Sequence, residues 1–170
     1  MIKNKNDLVV YLKRDKEALG AKGLKSYFFN NIWRFQRALR KHEYHHNRKS
    51  LLRYYYKYKH NKLGEKLGFT IPINCFGKGL SIAHYGTICV NGKARIGDNC
   101  RIHVCVNIGA SRENSNNVPK IGDNCYIGPG AKLYGAIEIG DNVSIGANSV
   151  VNKSFDSNVT IVGVPARVIK

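Results

Sequence analysis

From Ile71 onward, aliphatic residues return every six positions: Ile82 and Ile88, then Ile96, Ile102 and Ile108, then Ile121, Ile127, Leu133, Ile139, Ile145 and Val151. Glycine often follows, as in Ile96-Gly97, Ile121-Gly122 and Ile139-Gly140, and a small or apolar residue stands four positions on. A hexapeptide period is the sequence form of a β-helix solenoid, in which each unit supplies a short strand and a turn. The aliphatic points inward because stacked coils have no other core, and Gly and Asn take the turns, where φ is positive. The period breaks twice. The step of eight from Ile88 to Ile96 predicts a two-residue bulge around Asn91-Gly92, and the step of thirteen from Ile108 to Ile121 predicts a loop extruded within 111–120.

Residues 1–67 carry a different pattern. Asn6 or Asp7 is placed to cap a first helix ending near Gly20, with Leu8, Leu12 and Leu19 on one side. Leu24, Phe28, Ile32, Phe35 and Leu39 recur at steps of three and four, which predicts an amphipathic helix from about Leu24 to Tyr44. Leu52, Tyr56, Leu63 and Leu67 predict a third, from Leu51 to Leu67, whose interleaved tyrosines pack while its lysines are solvated. The expected fold is mainly β, a parallel β-helix over 68–170 preceded by a basic α-helical segment, 1–67.

The 170 residues, 43% apolar and 23% charged, suit one globular domain with a helical appendage and exclude a largely disordered chain. No apolar run is long enough to span a membrane, and no apolar core follows Met1, so a cytoplasmic location is expected. The five cysteines form no Cys-x-x-Cys pair, which argues against a disulfide framework or zinc knuckle and for small buried side chains. The net charge of +17 is uneven: residues 1–67 hold 18 Lys/Arg against 5 Asp/Glu, and residues 68–170 hold 10 against 6. The basic segment is expected to meet an anionic membrane surface, making the protein peripheral at the inner face, or a polyanionic glycan. A basic RNA-binding scaffold would leave the repeat without a purpose and lacks an RNA-binding motif, so no nucleic acid is expected.

Of the six histidines, only His84 and His103 lie in the repeat. If three hexapeptides close one coil, His84 and His103 fall on neighbouring rungs about 4.8 Å apart. An imidazole of ordinary pKa can take a proton from an alcohol at neutral pH. A zinc hydrolase on such a solenoid needs three histidine ligands, so no metal is expected. His42, His45, His46 and His60 lie in the basic segment, where His45-His46 reads as a solvated helix face.

Ser81-Ile82-Ala83-His84-Tyr85-Gly86-Thr87, Val118-Pro119-Lys120-Ile121-Gly122, Ile127-Gly128-Pro129-Gly130-Ala131 and the ending Val162-Gly163-Val164-Pro165-Ala166-Arg167 resemble the hexapeptide-repeat acyltransferases, most closely the serine acetyltransferase branch. The resemblance implies a left-handed β-helix, acetyl-CoA as donor, and a homotrimer with its active site between subunits. It implies His84 as general base. Gly109, Ala110, Ala131 and Ser149 would line the acetyl-CoA groove, and Arg167 and Lys170 would approach the nucleotide phosphates. The segment Cys100-Arg101-Ile102-His103 resembles capsule and exopolysaccharide acetyltransferases, which implies that His103 would orient His84 or bind the acceptor.

Three departures from the serine acetyltransferase pattern shape the expected acceptor. Ala83 stands where that branch commonly has Asp, Val118 stands where it has a second functional His, and Ile71–Phe76 holds no counterpart of its acceptor-binding Asp. These differences, with a resemblance to capsule and exopolysaccharide acetyltransferases, lead to the expectation of an acetyl-CoA-dependent O-acetyltransferase acting on a sugar hydroxyl, a saccharide acceptor of surface-polysaccharide biosynthesis. Serine O-acetyltransferase of cysteine biosynthesis is the alternative. The carboxylate partner of His84 is not marked by the pattern; Glu65 and Glu113 are the candidates.

Overall fold

A computed structural model describes residues Met1 to Lys170. Four helices come first: α1 (Lys5–Ala18), α2 (Gly23–Phe29), α3 (Asn31–Asn47) and α4 (Leu52–Leu67). Fourteen short strands follow and build three faces of a β-helix. The first face stacks β1 (Phe69–Thr70), β3 (Ile88–Val90), β6 (Asn107–Gly109), β9 (Lys132–Tyr134) and β12 (Val150–Val151). The second stacks β4 (Arg95–Ile96), β7 (Lys120–Ile121) and β10 (Glu138–Ile139). The third stacks β2 (Ser81–Ile82), β5 (Arg101–Ile102), β8 (Tyr126–Ile127), β11 (Ser144–Ile145), β13 (Thr160–Gly163) and β14 (Ala166–Val168). All pairings are parallel except β13 with β14.

The register aligns the aliphatics in columns: Val90, Ile108, Leu133 and Val151; Ile96, Ile121 and Ile139; and Ile82, Ile102, Ile127, Ile145 and Ile161. Every member is buried. One expectation is corrected. Val90, not Ile88, pairs with Ile108, so the two extra residues lie between Ile82 and Val90 and not at Asn91-Gly92. Ile88 and Val90 are both buried on one short strand, so hydrophobicity alone does not separate the two registers. The corrected position is the corner that carries His84. The second interruption leaves the β-helix between β6 and β7, with Arg112–Asn116 exposed.

A Gly-Asp-Asn motif recurs at the corner between the second and third faces. Asn99, Asn124 and Asn142 take φ of 56°, 56° and 57° there, and Asn158, in Asp156-Ser157-Asn158, takes 65° at the corresponding turn, values that Asn tolerates better than other side chains. The aspartates form a ladder: Asp123 Oδ1 accepts from the Asp98 N–H at 2.7 Å, and Asp141 Oδ1 from the Asp123 N–H at 2.7 Å. Each rung thereby ties a backbone donor to the next coil.

The helices cover the first coil. Asp15 Oδ1 accepts from the Gly79 and Leu80 N–H groups at 2.8 and 3.0 Å, and Gln36 donates to the Leu80 carbonyl at 2.7 Å. Arg40 is wholly buried; it pairs with Asp15 at 2.8 Å and Glu43 at 3.0 Å and donates to the Phe76 carbonyl at 2.9 Å. Glu43 in turn accepts from the Asn74 N–H at 2.8 Å. Buried backbone groups need partners, and these side chains supply them where no preceding coil does.

The helix boundaries also differ from expectation. Asn4, not Asn6 or Asp7, caps α1 in a capping box with Asp7. The single helix expected over 24–44 is broken at Asn30, whose extended backbone and side-chain acceptor for the Trp33 N–H start α3 afresh. The break removes Leu24 and Phe28 from the stripe: both are exposed, while Ile32, Phe35 and Leu39 are buried. On α4, Tyr54, Tyr55 and Tyr58 are exposed rather than packed, because His60, Leu63 and Leu67 make the contact face.

Candidate active site

The corner Ala83–Thr87 is held from below by the end of α4. Gly68 closes that helix in the left-handed conformation at φ 79°. The Leu67 carbonyl then accepts from the Gly86 N–H at 2.9 Å and the Gly68 carbonyl from the Ile88 N–H at 3.0 Å. Gly86 sits at φ 134°, and a Cβ on it would collide with Val104 of the next coil. Two residues more than a regular turn, fastened at Gly86, present His84 on the exposed side of the corner.

His103 lies one coil on, its ring centroid 6.2 Å from that of His84, and Tyr126 lies 4.9 Å beyond His103. Arg101 donates from Nε to His103 Nε2 at 3.2 Å and reaches Ser81 Oγ at 3.4 Å. A ring nitrogen that accepts carries no proton, so neutral His103 holds its proton on Nδ1. Burial first, then the Arg101 charge and His84, hold the His103 pKa below the ordinary histidine value. The arrangement gives one exposed imidazole, a second kept neutral, and a guanidinium that takes part in no ion pair.

The residues expected to line a donor groove fall on neighbouring coils. Gly109 pairs with Tyr134 at the end of β6, with Ala110 next to it. Ala131 and Ser149 are wholly buried, their carbonyls accepting from the Asn107 N–H at 3.0 Å and the Lys132 N–H at 2.8 Å. Ser149 Oγ accepts from the Gly163 N–H at 3.2 Å and so ties down the closing hairpin. Arg167 and Lys170 are exposed on that hairpin and its tail. Glu65 lines a cleft with His60 and Thr87, and Glu113 lines a hollow with Tyr134 and Lys153; neither is paired with His84.

Two features escaped the sequence reading. Arg101, at an outward position of β5, signals itself only once the register sets it beside His103. His42 and His60 meet Nδ1 to Nδ1 at 3.1 Å, buried beside a cleft of about 670 Å³ whose far wall includes Thr87. Burial is the chief cause that pushes both down to about 4, so both are neutral, one donating and the other accepting. Of the adjacent pair, His46 is exposed as expected, but His45 stacks on Tyr56 at 4.9 Å.

The family model described as bacterial transferase hexapeptide (six repeats) matches residues 119–153. A serine acetyltransferase of Staphylococcus aureus is 43% identical over 95 residues, 55% of this chain and 45% of that protein. The chain thus matches about half the length of such relatives. Among solved structures, serine acetyltransferase from Brucella abortus superposes with a TM-score of 0.80 at 26% identity, covering 97% of this chain and 70% of that one. The Neisseria gonorrhoeae enzyme in complex with serine gives 0.78 at 28% identity, covering 98% and 70%. These findings overturn the expectation of a polysaccharide O-acetyltransferase with a saccharide acceptor, because the homologues and structural neighbours are consistently serine acetyltransferases. The chain carries the left-handed hexapeptide-repeat architecture of the bacterial transferases, with serine acetyltransferases as its homologues and structural neighbours.

Proposed function

We propose that the chain transfers the acetyl group of acetyl-CoA to the hydroxyl of serine. The observation that carries this reading is His84, exposed on a lengthened corner beside His103, in a β-helix whose homologues are serine acetyltransferases. His84 removes the hydroxyl proton as the oxygen attacks the thioester carbonyl. The resulting imidazolium returns the proton to the CoA sulfur as the carbon–sulfur bond breaks, leaving the ester and free thiol. The unpaired guanidinium of Arg101 suits an acceptor bearing a carboxylate, since guanidinium and carboxylate match in a two-point hydrogen bond.

In this reading Gly109, Ala110, Ala131 and Ser149 present backbone to the pantetheine arm, and Arg167 and Lys170 meet the nucleotide phosphates. His84 makes no ion pair within the chain, which accords with a homotrimer in which a neighbour completes the site. Ala83 and Val118 are then substitutions that serine transfer tolerates. The test is thiol release from acetyl-CoA with and without serine, in wild type and His84→Ala. Serine-dependent release that falls at least about a hundredfold in the variant supports the reading. Release that serine does not accelerate overturns it.

A further inference from the structure

Helix α2 is an anomaly in this fold, because none of its seven residues is buried. Leu24, Phe28 and Phe29 are 78%, 59% and 77% exposed, a contiguous apolar surface that solvent alone does not favour. What surrounds it is cationic. No Asp or Glu occurs between Glu17 and Glu43, whereas Lys22 and Lys25 flank the apolar side chains. Phe28 packs edge-on against Tyr27 at 5.1 Å, and the Arg37 guanidinium lies 3.6 Å from the Tyr27 centroid and donates to the Tyr27 carbonyl. Beyond Tyr27 opens a hollow of about 80 Å³ lined by Arg34, Arg37, Lys41 and Lys59, none of which has a carboxylate partner. Arg37 Nε is buried there without an acceptor.

We propose that α2 and this cationic hollow form a docking surface for an anionic lipid bilayer, with Leu24, Phe28 and Phe29 entering the boundary between headgroups and acyl chains and Arg34, Arg37, Lys41 and Lys59 meeting headgroup phosphates. A membrane interface takes apolar side chains and clustered cations together, the first at the acyl boundary and the second at the headgroups. A second copy meeting this face through the same face would set cation against cation, whereas an anionic bilayer complements the charge. Exposed Tyr54, Tyr55 and Tyr58 on neighbouring α4 add rings of the kind that settle at headgroup level. The inference does not rest on the acetyl-transfer reading.

The test is co-sedimentation of the full chain with phosphatidylcholine vesicles containing phosphatidylglycerol, against pure phosphatidylcholine vesicles, with light scattering for oligomeric state. Binding confined to the anionic vesicles is expected. It should weaken steeply as salt rises from about 0.1 M to about 1 M, where the screening length falls from roughly 10 Å to roughly 3 Å. Lys22→Glu with Lys25→Glu should lower affinity about tenfold or more, and Phe28→Ser with Phe29→Ser should lower it without changing far-ultraviolet circular dichroism. No binding, equal binding to both vesicle types, or serine variants that change only the oligomeric state would each overturn the proposal.

Discussion

Arg101 and His103, two residues apart on one coil, are joined Nε to Nε2 at 3.2 Å, so the arginine occupies the nitrogen through which His103 would otherwise act as a base. His84, 6.2 Å away centroid to centroid, keeps the exposed position. The two imidazoles are therefore unequal, and in the proposed reaction the asymmetry leaves proton abstraction to His84.

Removing the arginine should release His103. In Arg101→Met the His103 pKa should rise toward the ordinary value, because a charge that lowers it and a donor to its lone pair are both lost. Titration of the His103 ring by NMR reads this directly, and an unchanged titration would show that the contact does not govern its protonation. With serine as acceptor, the same variant should raise KM more than it lowers kcat.

The Asp15–Arg40–Glu43 cluster should be among the most sensitive places in the chain. Arg40→Met strands two buried carboxylates, for which a loss of about 3–5 kcal/mol is expected. Asp15→Asn keeps an oxygen for the Gly79 and Leu80 N–H groups and should cost less than Asp15→Ala. Urea denaturation ranks the three variants; equal losses for Asn and Ala would show that the backbone contacts are unimportant.

The His42–His60 contact sets a pH dependence. Both histidines titrate near 4 when folded and near the ordinary value of about 6.5 when unfolded, so the unfolded chain binds more protons between these limits. Their contribution is fully present above about pH 6.5 and is lost as pH falls toward 4, at up to about 1.4 kcal/mol per pH unit for each ring. Thermal midpoints should therefore drop between about pH 6.5 and 5.5, before most carboxylates titrate. A flat profile there would refute the pairing.

Two glycines in neighbouring turns should respond in opposite ways. A Cβ on Gly97 would lie 2.7 Å from the Gly122 carbonyl carbon, so Gly97→Ala must push two coils apart and should lower stability by about 1–3 kcal/mol. A Cβ on Gly92 meets only Pro72 at 3.6 Å, and Gly92→Ala should be neutral or stabilising by up to about 1 kcal/mol. Denaturant midpoints decide both.

The β-helix was legible because its period of six has no competing reading, and the eleven aliphatics that carry it are all buried. The place of the first insertion was not legible, since Ile88 and Val90 are both inward and the register depends on which pairs with Ile108. Arg40 was counted with the surface charge because composition carries no burial; its spacing to Glu43 was the available sign. His84 and His103 were found from spacing along the coil, whereas Arg101 becomes meaningful only through a side-chain contact. The acceptor was misread from Ala83 and Val118, two local differences that weigh less than the similarity of the surrounding repeat to serine acetyltransferases.

A stack of parallel coils is open-ended by construction, and each terminal coil offers unpaired strand edges to any similar coil that meets it. Here one end is sealed by Asp15, Gln36, Arg40 and Glu43, and at the other the antiparallel β14 halts the ladder on its face. The buried ion cluster therefore occupies backbone groups through which another coil would otherwise pair. Variants that loosen it should fail by forming fibrils as well as by unfolding, at concentrations where the parent chain remains dispersed.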